Sequence, residues 1–347
     1  MAINRSSIAK QLLPGLNEIF GISYGEVNDE HAPLYEIENS DRAFEEEVLF
    51  TGFGSAPTKS EGSAVQYDNA QEGYTARYTM ETVALAFAIT EEAMEDNLYD
   101  TFSKVRAKGL ARAMANTKQV KAADVFNNAF STSYNGGDGQ PLISASHPTI
   151  GDGNQSNTVG ATDFSEAALE TATIAVTKIK DDRGILIGAS TESLHIPSDL
   201  IYTADQVLNS PGTTVAGGSA AYAQNNINAI RNQSVVSDGF YVNRRFTDTN
   251  AWFLKTDVPN GTKMFVRVPL QTKMEPDFDT GNMRFKSRER YAFGWSDWRQ
   301  WRGASGSSYW KLQSRRFLNR SKKVKLKELL RRLFLFFFVC LNPFILL

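Results

Sequence analysis

Three histidines, His31, His147 and His195, are the first residues to test for chemistry, because imidazole serves in acid–base catalysis and metal ligation near neutral pH. They stand far apart, and no serine beside any of them sits in a nucleophile signature. His195 lies in Leu194-His195-Ile196, an apolar run that reads as a buried strand and predicts a structural imidazole. His147 precedes Pro148 and reads as a turn residue. The run Asp277-Phe278-Asp279-Thr280-Gly281-Asn282 has the oxygens of a calcium loop. Its glycine comes one place early, however, and Arg288 stands where a bidentate glutamate is needed. The glycine clusters Gly136–Gly139 and Gly151–Gly153 lack a following Lys-Ser/Thr and open no helix, so neither is a phosphate loop. Cys340 is the one cysteine, which rules out an intrachain disulfide and a cysteine metal site. No catalytic set, metal site or cofactor is expected, and an enzyme is the last reading.

One charged pattern survives. In Met283–Trp295, Arg284, Lys286, Arg288 and Arg290 alternate with apolar residues and share one face of a strand. The row reads either as an intersubunit ion-pair surface or as the solvated side of an amphipathic strand. Its surroundings are acidic: residues 1–310 hold 27 bases against 38 acids, whereas residues 311–347 hold ten bases and one acid. An acidic body lacks the positive footprint of a nucleic-acid grip. The N-terminus has no apolar core of a signal peptide, so synthesis and assembly are expected in a reducing cytoplasm.

The elements that must position this row centre on Thr82–Phe130. In Thr82–Ile89, Val83, Leu85, Phe87 and Ile89 alternate with Ala84, Ala86 and Ala88, a strand with one bulky and one small face. The alanine face is expected to meet a helix closely, so that Ala86→Leu would overpack the seam. From Thr90 the spacing of Met94, Leu98, Phe102, Val105, Leu110 and Met114 predicts a helix running to Phe130. Before it, residues 1–20 read as short amphipathic pieces and Gly21–Glu47 as an acidic extended arm seeking another surface. Val48–Met80 reads as a long hairpin that projects onto a neighbour, since loops beyond about 15 residues are seldom idle. After the helix, Gly136–Ser234 reads as an α/β unit. It has a helix capped at Asp163 or Ser165 and stopping near Gly184, short buried strands at Ile185–Ile187 and Leu194–Pro197, a helix after Ser198, and a loose Gly/Ala/Asn-rich excursion from Thr213. Strands are expected at Val235–Val242, Ala251–Lys255, Lys263–Gln271 and Met283–Trp295, the last two forming a hairpin across Asp279–Asn282.

This order of parts resembles the major capsid proteins of tailed bacteriophages with the Hong Kong 97-type fold. The phrases that carry the resemblance are Ala43-Phe44-Glu45-Glu46-Glu47-Val48, Glu81-Thr82-Val83-Ala84, Ile89-Thr90-Glu91-Glu92-Ala93, Lys118-Gln119-Val120-Lys121-Ala122-Ala123, and Arg288 through Asp297. The resemblance implies an α+β fold with an N-terminal arm (1–47), an E-loop hairpin (48–80), a peripheral domain with a spine helix (81–135 and 235–308) and an axial domain (136–234). It implies homo-pentamers and homo-hexamers of an icosahedral virion shell around double-stranded DNA, with separate scaffold and portal proteins and decoration proteins as further partners. Intersubunit contacts are expected at Lys59, Tyr67 and Tyr74 of the hairpin and at the Arg284, Lys286, Arg288 and Arg290 row. Lys59 is either a plain exposed lysine or the crosslinking lysine that some relatives join to an asparagine. The alternatives are an encapsulin-like compartment shell and a tail-anchored membrane protein. The tail, 309–347, departs from the family; Leu333–Leu347 is apolar but short of a bilayer span and is read as a non-native extension in preference to an anchor.

Overall fold

The computed structural model describes residues 16–90, 92, 99–151, 153–212, 227–277 and 279–306. Met94, Leu98, most of the Thr213–Ser234 excursion and the tail lie outside them, as does nearly all of the amphipathic start.

Helix α1 covers residues 16–25. Strands β1 (Glu36–Asn39), β2 (Phe44–Phe50), β3 (Glu72–Thr79) and β4 (Glu81–Ile89) follow, and then the long helix α2 (Tyr99–Asn127). At about 1.5 Å per residue its 29 residues extend roughly 43 Å. The next elements are β5 (His147–Pro148), β6 (Asn154–Gln155), β7 (Thr158–Gly160), α3 (Glu166–Val176), β8 (Thr191–Ile196), α4 (Ile201–Asn209) and the single turn α5 (Ala229–Asn232). The chain ends in β9 (Phe240–Val242), β10 (Trp252–Thr256), β11 (Thr262–Pro276), β12 (Met283–Trp295) and β13 (Trp301–Ala304).

Two sheets organise these elements. One has the order β1-β11-β12-β4, the other β7-β13-β10-β8-β9. The β11–β12 pair is a long antiparallel hairpin whose turn is closed by Asp277 N–H donating to Asn282 O at 2.8 Å, with Gly281 at φ 68, a conformation that favours glycine. Strands β10 and β13, from the C-terminal part of the chain, complete the sheet on which α3 and α4 pack. Phe164, Leu169, Leu194, Ile196, Val207, Trp252 and Leu254 fill that interface. A second core joins both sheets to the end of α2, with Phe126 edge-on to Trp301 at 4.6 Å and to Phe253 at 5.3 Å.

Helix α2 lies on the bulky face of β4. Its buried side chains are Ala107, Leu110, Ala111, Met114, Ala115, Gln119, Ala122, Ala123 and Phe126, the three-and-four spacing of one helical face. Ala84, Ala86 and Ala88 are exposed on the far side of the sheet, so the expected seam at Ala86 is corrected. The small residues that permit close approach belong to the helix, and Val105, counted toward its apolar stripe, is 65% exposed.

The acidic arm is likewise corrected. Leu34 and Tyr35 are buried in the chain's own core, and Tyr35 donates to Ala122 O at 2.6 Å. Leu16 and Phe20 of α1 pack against Phe285 and the helix. Ile185, Leu186 and Ile187 form no strand and are partly exposed, because the turn there carries them to the surface; α3 ends at Val176, well before Gly184. The cap at Ser165 is as expected, its side chain accepting from Ala168 N–H.

Candidate functional site

The three histidines do not converge. His31 is buried beside Gln119, with Nδ1 2.8 Å from the amide nitrogen, and burial holds its pKa below the ordinary value. His195 is buried in β8 as expected, stacked near Tyr241, and burial together with Lys255 pushes it down to about 3. His147 is no simple turn residue. Its ring is fully buried, 4.2 Å from Trp298 in a parallel stack. The Asn157 amide donates to the carbonyls of Leu142, Trp298 and Trp301, so its oxygen faces His147 Nε2 at 3.1 Å. Nδ1 faces Asp138 at 2.6 Å. That arrangement fastens the 136–140 loop to the second sheet. Among the described residues no group of His, Cys, Asp or Glu is arranged to hold a metal.

A second buried polar node joins Arg299, Asp182 and Asp297 at 2.8 and 3.3 Å, with the guanidinium over Trp298. Burial holds the Asp297 carboxyl above its ordinary range, against the pull of Arg299. One cation between two acids, all enclosed, is a structural fastening.

The hairpin is more informative. Strands β2 and β3 pair from Phe44↔Thr79 to Phe50↔Glu72, so the stem starts before Val48. Its outward face carries Phe44, Val48 and Phe50, with Arg77 4.1 Å over the Phe44 ring. Its inward face is fastened to the first sheet. Lys263, only 5% exposed, sits 2.8 Å from Glu38 and 2.6 Å from Glu47. Ser296 donates to Glu47, and Tyr78 donates to Ser296 at 2.6 Å while packing edge-on to Phe265 at 4.8 Å. Gly294 is required here, since a Cβ would stand 2.7 Å from the Tyr78 ring. This fastening was missed in the sequence; the run Glu45-Glu46-Glu47 on a stem beside an apolar strand was its only trace.

Beyond the stem, residues 51–71 form no helix or strand. Arg183, from the connection between α3 and β8, reaches this segment, 3.4 Å from Asp68 and donating to Asn69 O at 2.6 Å. Past that contact Lys59 is exposed and Tyr67 is 94% exposed. Tyr74 differs from its neighbours on the hairpin. It is half-buried against Gly137 with its hydroxyl enclosed, and burial raises its pKa.

The four cations share one face of β12, as the alternation predicts. Arg284, Lys286 and Arg288 are exposed and Arg290 is half-buried, all on the face of β12 opposite the one that meets the helices. They lie in register beside Ala88, Ala86, Ala84 and Thr82 of β4. Arg284 pairs with Asp277. Lys286 and Arg288 make no ion pair among the described residues, and the Arg290 Nε is buried without a partner there. Farther along β12, Ala292 and Gly294 meet Tyr78 of the hairpin stem.

The hairpin stem is thus held to the first sheet, and an exposed segment without helix or strand extends beyond it. The chain belongs to the phage capsid protein family, whose model matches residues 73–303. It is a phage capsid protein: a non-enzymatic component of the virion that associates with its own copies to build the head shell. Its mixed α/β fold is that of the Hong Kong 97-type capsids. The chain is similar to the capsid of an empty GTA particle, at 11% identity over 81% of this chain and 91% of that one, with a TM-score of 0.51. It also matches the procapsid of bacteriophage JBD30 at 12% identity, covering 87% and 76% with a TM-score of 0.47. The virus-like particle of Pyrococcus furiosus matches at 8%, covering 83% and 97% with a TM-score of 0.46. The chain matches no curated protein.

Proposed function

We propose that this chain is the major capsid protein of a tailed phage, forming pentamers and hexamers of an icosahedral head around double-stranded DNA. The hairpin, residues 48–80 with its stem extended back to Phe44, is the E-loop and reaches a neighbouring subunit. Residues 81–135 and 235–308 form the peripheral domain with α2 as its spine, and 136–234 with β10 and β13 form the axial part. Residues 1–47 are the arm, though much of it packs on its own subunit. Lys59, Tyr67 and the Arg284, Lys286, Arg288 and Arg290 row are intersubunit contacts. Tyr74 serves from within by holding the stem. Assembly takes place in the host cytoplasm with separate scaffold, portal and decoration proteins.

The observation that carries this reading is the Glu38–Lys263–Glu47 fastening, its lysine buried, at the foot of a hairpin whose outer half exposes Phe50, Phe53, Val65 and Tyr67. A rigid foot and apolar far end suit a lever that lands on another molecule, and many weak landings add across a lattice. The test is to replace residues 51–71 with a short turn. The protein is expected to fold as judged by its melting transition, yet to form no shells in electron micrographs. Normal shells would refute the reading. Shells purified with a protein cargo in place of DNA would favour an encapsulin-like compartment.

A further inference from the structure

We propose that the cavity between the end of α3, the β6 edge and strand β13 binds a single phosphate group, held by Lys178, Lys180 and Arg302. The site is independent of how copies of the chain meet.

The cavity has a volume of about 160 Å³, and Gln155, Ser156, Lys178, Lys180, Trp298 and Arg302 line most of it. Three of these are cations, and among the described residues no Asp or Glu joins them. The fold brings them together from three stretches of chain. Helix α3 ends at Val176, and the turn that follows exposes Lys178 and Lys180 on either side of the buried Ile179. Both walls are pinned to that turn: Arg299 Nε donates to Lys180 O at 3.0 Å, and the Gln155 amide donates to Asp181 O at 3.1 Å.

Arg302 lacks a counter-charge. Its Nη1 and Nη2 reach only the carbonyls of Ser156 and Thr158, at 3.4 and 3.3 Å, and its Nε is buried without a partner. Burial lowers its pKa, and among the described residues no carboxylate opposes that. Arg299 shows the contrast: burial lowers its pKa too, but Asp297 and Asp182 more than reverse the effect. The nearby acids are committed elsewhere, Asp182 to Arg299 and Asp181 to the Asp182 N–H. Trp298, 2% exposed, adds a second buried donor, Nε1, for which the chain offers no acceptor. A desolvated guanidinium without an anion is costly. Donors and cations without a carboxylate complement an oxyanion, and a guanidinium fork flanked by ammonium groups suits phosphate. A cavity of this size takes one such group, either a free ion or one phosphate of a longer chain.

The experiment titrates inorganic phosphate into the full chain at constant ionic strength, reading the phosphorus NMR linewidth and the melting temperature, which a ligand of the folded state raises. Saturable binding is expected for the wild type and for R106Q/K108Q, which removes two exposed cations of α2. K178Q/K180Q and R302Q are each expected to bind at least about tenfold more weakly, the effect of losing charge-assisted hydrogen bonds. R302Q alters a strand, whereas K178Q/K180Q changes only exposed side chains and is expected to melt as the wild type does. Wild-type affinity in K178Q/K180Q, an equal loss in R106Q/K108Q, acetate binding as tightly as phosphate, or no saturable binding would overturn the site. A short DNA duplex distinguishes the two sources. Displacement of phosphate by the duplex, lost in K178Q/K180Q, would support the site with a nucleic-acid phosphate as its ligand; saturable phosphate binding that the duplex leaves undisturbed would support it with the free ion.

Discussion

Replacing Lys263 with methionine removes the cation that fastens the hairpin stem. A buried ion pair broken on one side costs about 3–5 kcal/mol when fully enclosed. Here Glu38 and Glu47 keep 39% and 25% of their side-chain surface, so water takes up part of the orphaned charge. That discount leaves about 1.5–3 kcal/mol. Burial alone would lower the Lys263 pKa, but hydrogen bonds to Glu38 and Glu47 more than reverse this and raise it. A cation with a raised folded pKa contributes fully below its unfolded value of about 10.4 and loses that contribution as pH climbs through the folded value. Denaturant unfolding of unassembled protein at neutral pH and above pH ~10.4 tests both points. The wild type should exceed K263M by the stated amount at neutral pH, and the gap should narrow at high pH. K263M/E38Q/E47Q should recover most of the loss, since it leaves no unpaired charge. A neutral-pH difference under about 0.5 kcal/mol, the range of inert surface changes, would refute the fastening.

Three further outcomes follow from the same geometry. Ala111 is fully buried between α2 and its neighbours, so Ala111→Leu should overpack by about 1–3 kcal/mol and lower the melting temperature. Ala86→Leu, on the exposed face of β4, should change stability by less than about 0.5 kcal/mol; a large loss of stability would return Ala86 to a packed seam. For His195, held near 3 against an unfolded value near 6.5, only the unfolded chain binds the proton between those limits. Its contribution to stability is therefore lost as pH falls, by about 1.4 kcal/mol per unit, and the stability of His195→Phe measured from pH ~6.5 to ~4.5 should lack that slope.

Much of the fold was legible because it rests on local periodicity. The alternation in Thr82–Ile89 and in Met283–Trp295 marks strands whose two faces differ, and both stand nearly where their patterns begin and end. The cation row was legible for the same reason. What periodicity cannot assign is the partner of a face. Alanines in β4 and alanines in α2 look alike in sequence, and only the tertiary arrangement turns the second set inward and leaves the first bare. Leu34 and Tyr35 stand in an acidic segment without a pattern, and their burial comes from residues nearly ninety positions away, as the Tyr35–Ala122 bond illustrates. The stem fastening joins Glu38, Glu47, Lys263 and Ser296 from three separate stretches, and the His147 node draws on Asp138, Asn157 and Trp298. Such long-range polar sets have no spacing to read.

Electron microscopy of the purified chain, expressed with and without residues 309–347, tests the central claim most directly. Closed shells or rings of five and six subunits are predicted, with the peripheral hairpin of each subunit lying over the next. Protein that melts cooperatively but yields no rings, shells or sheets in either form would contradict the account.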